Sequence, residues 1–270
     1  MASGTKKKGA PKKGSVKAAR GSVVSKKGVP WGTVISVVAV IALAAVVITY
    51  YMVQSAPRRA LASWAPTADN PDPSLQIQGI VTAQYQGSVH ILQNERVAYD
   101  HTPPFGGPHD GYWAACNGIV YPVAVRTENM VHSLEHGAVW IAYNPDQVTG
   151  DALNTLRTKV VGKPFTMMSP YPGLDSAVSL QSWGHQLKVG SATDERIDEF
   201  ITALRSNQNT HPEVGASCDA LGPGAFDPDN PPPFDPAPPG PDAKPMNYQG
   251  SDGARPEGGG SGMPSPGPTS

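Results

Sequence analysis

His101-Thr-Pro-Pro-Phe-Gly-Gly-Pro-His109 and His132-Ser-Leu-Glu135-His136-Gly137 bring four of the chain's seven histidines and one carboxylate into two short segments. Imidazole nitrogens at this density are the donors that a borderline divalent ion such as Zn(II) or Cu(II) prefers. On a helix, His132 and His136 lie one turn apart on the same face, so a single ion can take a nitrogen from each. In the other segment Pro103, Pro104 and Pro108 fix φ while Gly106 and Gly107 free it, which predicts a stiff bend holding His101 and His109 together. The expected metal set is therefore His101, His109, His132 and His136. Glu135 is expected outside it, orienting an imidazole N–H, and Asp110 is expected as a ligand, an outer partner or a loop-capping carboxylate. His90, His185 and His211 stand singly and read as partly buried histidines with a hydrogen-bond partner. A hydrogen-bonded histidine network without metal is the competing reading of the clustered four.

His132-x-x-Glu135-His136 also satisfies the pattern of inverted zinc peptidases, in which the glutamate is a general base. Under that reading Glu135 is the catalytic residue. Gly137 interrupts the helix directly after the second histidine, however, and four imidazoles leave no open position for water or substrate. Binding, storage or delivery of Cu or Zn suits the composition better than hydrolysis. Tyr112 and Trp113 are expected to pack over the site, and Met130, Met167 and Met168 to fill the core.

The elements that must carry these residues follow from charge and hydropathy. Residues 1–60 hold eleven Lys/Arg and no acid, whereas the rest of the chain sets ten Lys/Arg against all 22 Asp/Glu, a formal −12. No charge interrupts Lys27 to Arg58, and Trp31–Val53 is almost wholly apolar. That stretch is long enough to cross a hydrocarbon core of roughly 30 Å as a helix. Trp31 and Tyr50-Tyr51 stand where aromatic belts lie. The small-residue pattern of a cleavage site is missing at Gln54-Ser55-Ala56, which favours an uncleaved signal-anchor over a signal peptide. With the basic residues ahead of the span, the N-terminus is expected in the cytoplasm and the acidic bulk outside a plasma membrane crossed once. The arm is expected to contact anionic lipid rather than nucleic acid.

The expected organisation is a disordered basic arm over 1–28, a transmembrane helix over 29–55, a linker over 56–74, a His-rich α+β domain over 75–221 and a Pro/Gly-rich disordered tail over 222–270. Within the domain, strands are expected at Gly79–Tyr85, Val89–Gln93, Ile119–Val125, Ala138–Tyr143, Phe165–Ser169 and Val178–Val189. Helices are expected from Glu128 to His136 with Thr127 as cap, over Asp146–Val161, and over Thr193–Ser206 on the stripe Ile197, Phe200, Ile201, Leu204. This is a compact mixed sheet with packed helices. The order of elements in its second half is related to that of thioredoxin-like folds, but there is no Cys-x-x-Cys to support thiol redox chemistry. Cys116 and Cys218 are the only cysteines. On the outer side of a membrane a disulfide is their default, with one thiolate joining a metal site as the alternative.

Taken jointly, His101-x-Pro103-Pro104-x-Gly106-Gly107-x-His109, Tyr121-Pro122, Val131-His132-x-Leu134-Glu135-His136-Gly137, Tyr143-x-Pro145 and Ser182-Trp183-Gly184 resemble the signature of a domain family of unknown function found in actinobacterial single-pass membrane proteins. The resemblance covers about residues 75–212. It implies a related fold and an extracytoplasmic setting and supplies no activity. The functional expectation from the residues is a membrane-anchored metal-binding domain, for metal handling or as an accessory factor of an envelope complex. The alternatives are an envelope interaction module and a zinc hydrolase.

Overall fold

The computed structural model describes residues 28–250. The basic arm, but for Gly28, and the tail beyond Gly250 lie outside the described residues. The chain divides into one unit ending at Ser55 and a second beginning at Ala56. The uninterrupted run of Val, Ile, Ala and Leu forms helix α1, Trp31–Leu61, which ends six residues beyond the expected 55. None of its most apolar window is buried. Val40, Ile41, Leu43, Val46 and Ile48 are all more than half exposed.

From Val81 the second unit runs β1 (Val81–Thr82), β2 (His90–Ile91), β3 (Val97–Ala98), β4 (His109–Asp110), β5 (Asn117–Val120), α2 (Thr127–Glu135), β6 (Val139–Tyr143), α3 (Gly150–Val160), β7 (Thr166–Pro170), β8 (Val178–Ser182), β9 (His185–Val189), α4 (Arg196–Leu204) and β10 (Lys244–Pro245). Six of these strands make one mixed sheet in the order β1-β9-β8-β6-β7-β5. β6 sits inside it, parallel to β7 and antiparallel to β8. All five of its residues are buried, which explains a sequence, Val-Trp-Ile-Ala-Tyr, that is apolar without alternation.

The period of two in a strand divides β6 between two cores. Val139, Ile141 and Tyr143 join Leu156 and Val160 of α3 and Ile197, Phe200, Ile201 and Leu204 of α4. Trp140 and Ala142 join Met130, Val131 and Leu134 of α2, together with Phe105, Met167 and the two cysteines. The molecule is thus helices α3 and α4, a sheet, and a second layer of α2 and loops. This agrees with the expected α+β class. Val178–Val189, expected as one interrupted strand, is a hairpin that turns at Trp183-Gly184, where Gly184 has φ +71°. Thr127 opens α2 as its first residue. The cap position is Arg126, with no side-chain bond.

The segments expected to be a linker and a free tail both pack on this unit. The Asp72 carboxylate accepts the Ser74 N–H and lies 2.9 Å from His185 Nε2, and the Pro71 carbonyl accepts from Asn207. Trp64 leans on the α3/α4 core. After Gly222, Phe226 is fully buried in the second core. Pro232 O accepts the Arg126 N–H, Phe234 stacks on Tyr171 at 4.8 Å, Asp235 pairs with Arg96, and β10 lies parallel to β3. Proline cannot donate to a ladder, but its carbonyl still accepts, so a Pro-rich strand can bind an edge with half its backbone groups. The expectation of a disordered tail is therefore corrected over 222–250. Composition pointed to a spacer, whereas Phe226, Phe234 and Lys244 anchor the segment at intervals.

Phe226→Ala is expected to lower the unfolding free energy by about 3–5 kcal/mol, read by urea denaturation of the detergent-solubilised chain. A change of under about 0.5 kcal/mol, the size of an ordinary surface substitution, would mean that this segment contributes nothing to the folded core.

Candidate metal centre

Three pieces of chain meet on the α2 side of the sheet. The first is the pair β2 and β4, whose parallel register sets His90 opposite His109. The second is α2, which carries His132 and Glu135 and ends at His136. The third is the segment from His211 to Asp219. His109, His132 and Glu135 are wholly buried, His136 and His90 nearly so. The ring centroids of His90 and His109, His90 and His132, His109 and His132, and His132 and His136 lie 5.0, 5.2, 4.7 and 4.7 Å apart.

Backbone carbonyls fix the tautomers. His109 Nδ1 donates to Gly107 O at 2.8 Å, His132 Nδ1 to Asp110 O at 2.6 Å, and His136 Nδ1 to Ser217 O at 2.6 Å. A carbonyl only accepts, so each Nδ1 carries the proton and, in the neutral ring, the lone pair is on Nε2. This is the outer-shell arrangement of metal-ligating histidines. His109 Nε2 then lies 2.8 Å from Glu135 Oε2. Neither atom makes a hydrogen bond among the described residues; the two form an ion pair if the imidazole is protonated and two metal donors if it is neutral. The other carboxylate oxygen, Glu135 Oε1, accepts the Ser88 N–H at 2.7 Å.

One donor atom from each of His90, His109, His132 and Glu135 falls within 4.8 Å of the others, and a second group of the same compactness is made by His132, His136 and Glu213. Around a tetrahedral ion with bonds of about 2.0–2.1 Å, donors lie about 3.3 Å apart. The inner group is therefore compact enough to hold a metal ion through three imidazoles and one carboxylate with small adjustments of its donors.

Two glycines allow this closeness. A Cβ on Gly87 would stand 2.6 Å from Glu135 Oε1, and one on Gly137, at φ +90°, 2.6 Å from His211 Nε2. Trp113 covers His136 and His132 at 4.8 and 5.6 Å and donates its indole N–H to Asp219 O. Cys116 and Cys218 are joined in a disulfide, and the Cys116 N–H donates to Cys218 O. This fixes the chain next to Ser217, the acceptor for His136.

Of the residues expected to bind metal, His109 and His132 share the inner group and His136 belongs to the outer one. His101 is brought to neither. The bend opens instead of closing: His101 is 34% exposed, pairs with Asp100 at 3.0 Å and meets Tyr85 OH at 3.2 Å. His90, read as an ordinary buried histidine, takes the place expected for His101. The signal was the strand pattern around Val89–Gln93, but only a pairing partner could show that it faces His109. Glu135 stands in the donor set rather than behind it. Asp110 acts through its carbonyl, while its carboxylate pairs with Arg126 and accepts the Tyr112 N–H. Met130, Met167 and Met168 are core residues. Glu213 was not singled out, since a lone glutamate in a loop carries no pattern.

Burial pushes the His132 imidazole well below its usual range near 6.5, and the neighbouring His109 and His136 add to this against the pull of Glu135. Burial likewise lowers His211, more than the hydrogen bond to Glu135 O raises it. The unfolded chain therefore binds protons at these positions before the folded chain does. Stability is then present above about pH 6.5 and falls as the pH drops through the window between the unfolded and folded values. Thermal melts of the metal-free chain should show a midpoint that falls from pH 7 to pH 5. A midpoint that rises over that range would contradict buried neutral imidazoles.

No curated protein and no solved structure matches the chain. Residues 90–220, which hold both donor groups and the disulfide, match the model of the family described as "Protein of unknown function (DUF3105)".

Proposed function

We propose that the second unit is a membrane-anchored, extracytoplasmic domain that takes up one transition-metal ion, Zn(II) or Cu(II), at His90, His109, His132 and Glu135, in metal handling or in service of an envelope metalloprotein. The carrying observation is the opposed pair His109 Nε2 and Glu135 Oε2, 2.8 Å apart at full burial. A carboxylate without solvent needs a positive partner, and a cation bound to both atoms would supply it while using the Nε2 that the Nδ1–carbonyl bond leaves facing the site. Three neutral imidazoles and one carboxylate also suit the softness of Zn(II) and Cu(II) better than that of Mg(II) or Ca(II).

The anchor reading rests on α1, whose most apolar window is unburied among the described residues and whose flanking charge is basic on the N-terminal side. That charge favours a cytoplasmic N-terminus held at anionic lipid. A disulfide is at home in the oxidising space beyond the membrane. Hydrolysis fits the site less well. Glu135 has one oxygen in the donor set and the other on Ser88 N–H, which leaves it no position as a general base toward a bound water.

The test is equilibrium dialysis of the detergent-solubilised chain against Zn(II) and Cu(II), with bound metal measured by mass spectrometry. About one ion per chain is expected. His109→Ala, His132→Ala and His90→Ala should each weaken binding by more than the roughly 10- to 100-fold that loss of an outer-shell partner costs, while His101→Ala binds as the parent does. A chain that takes up neither metal, or a His101→Ala variant as impaired as His109→Ala, overturns the assignment.

A further inference from the structure

The inner donor set is sealed. Its four residues are at most 8% exposed, and five of the surface cavities are lined by none of them. An ion must nevertheless reach it without shedding all its ligands, because a bare divalent cation in a protein interior is prohibitively costly.

The second donor group lies where such an ion would pass. It shares His132 with the inner set and adds His136 and Glu213, whose side chain is 17% exposed. The two groups are built alike. Glu135 Oε2 is 2.8 Å from His109 Nε2, and Glu213 Oε2 is 3.3 Å from His136 Nε2. Ser88 holds the remaining oxygen of both carboxylates, Glu135 Oε1 through its N–H and Glu213 Oε1 through its hydroxyl. The Glu213 N–H donates to Glu135 O at 3.2 Å, which ties the two residues together through the backbone. His132 stands between, one ring from each pair.

With its Nδ1 donating to Asp110 O, neutral His132 has a single lone pair and binds one ion at a time. The two groups are therefore alternative positions for one ion and not the halves of a dinuclear centre. Resting on the metal-binding reading above, we propose that His136 and Glu213 are the loading position. The ion arrives at the partly exposed Glu213, is held by Glu213, His136 and His132, and passes to His90, His109 and Glu135 while His132 keeps hold of it. Each group supplies one carboxylate, so the ion meets the same formal charge in both positions.

A loading position alters rates more than equilibrium, since it lies on the path in both directions. The experiment is stopped-flow uptake of Zn(II) by the full chain in detergent, and its release to an excess of a chromogenic chelator, for the parent, Glu213→Gln, His136→Gln and His109→Ala. Glu213→Gln and His136→Gln are expected to slow uptake and release together by about tenfold or more, a barrier change of about 1.4 kcal/mol. The ratio of the two rates should then move far less than in His109→Ala, where release alone accelerates. Unchanged rates in both variants overturn the loading role and leave the inner site intact. A Glu213→Gln affinity loss equal to that of His109→Ala makes Glu213 an ordinary ligand and also overturns it. A parent chain that binds no Zn(II) and no Cu(II) overturns the metal-binding reading and this inference with it.

Discussion

The constraint that organises the second unit is a carboxylate without solvent. Glu135 is wholly buried, and a desolvated anion is tolerated only where donors or cations meet it. The structure brings one N–H, that of Ser88, to one oxygen and three imidazoles toward the other. Around this arrangement the backbone is specialised. Gly87 and Gly137 stand where any side chain would collide, and Ser88 adopts φ +57°, a conformation rare outside glycine, asparagine and aspartate. Three carbonyls, from Gly107, Asp110 and Ser217, each hold one imidazole. These features cost conformational freedom and gain nothing from apolar burial, so they are accounted for by the site they frame.

The sheet explains how so polar a cluster stays buried. β6 is covered on both faces, with α3 and α4 on one side and α2 on the other. Because Trp140, Met130 and Leu134 fill the layer between sheet and α2, that helix is pinned along its apolar side. Its His132, Glu135 and His136 are then left directed toward β4 and the segment after α4. The helix ends where it must, since Gly137 turns the chain at φ +90° and its N–H closes on Leu134 O.

Much of this was legible in the sequence, and the parts that were not share a cause. The unbroken apolar run of β6, the stripe of α4, the end of α2 at Gly137, the pairing of the cysteines and the apolar helix near the N-terminus all express local rules of periodicity, turn geometry or compartment. His90 and Glu213 were missed, and His101 was misplaced, because their places depend on pairings between distant segments. A two-residue ladder decides that His90 faces His109, and a bend with the right composition sends its two ends to different neighbours. Residues 222–250 were misjudged for a related reason. Pro and Gly lower the tendency of a segment to order itself, but they do not prevent it from docking where an edge and an aromatic pocket already exist.

The disulfide closes a covalent ring of chain between Cys116 and Cys218, 102 residues apart. All of β5 to β9 and α2 to α4 lies within it. Tension applied along the polypeptide therefore bypasses that ring, and a contour of about 340–370 Å, at 3.3–3.6 Å per residue, stays locked while the bond lasts. The donor set straddles the boundary. His132, Glu135, His136 and Glu213 are inside the ring, whereas His90 and His109 lie on the strand of chain leading into it. A mechanical load could draw those two histidines, like β1, away from the rest while β5 to β9 stayed enclosed by the bond. The site is thus divided between chain that the bond protects and chain that it does not.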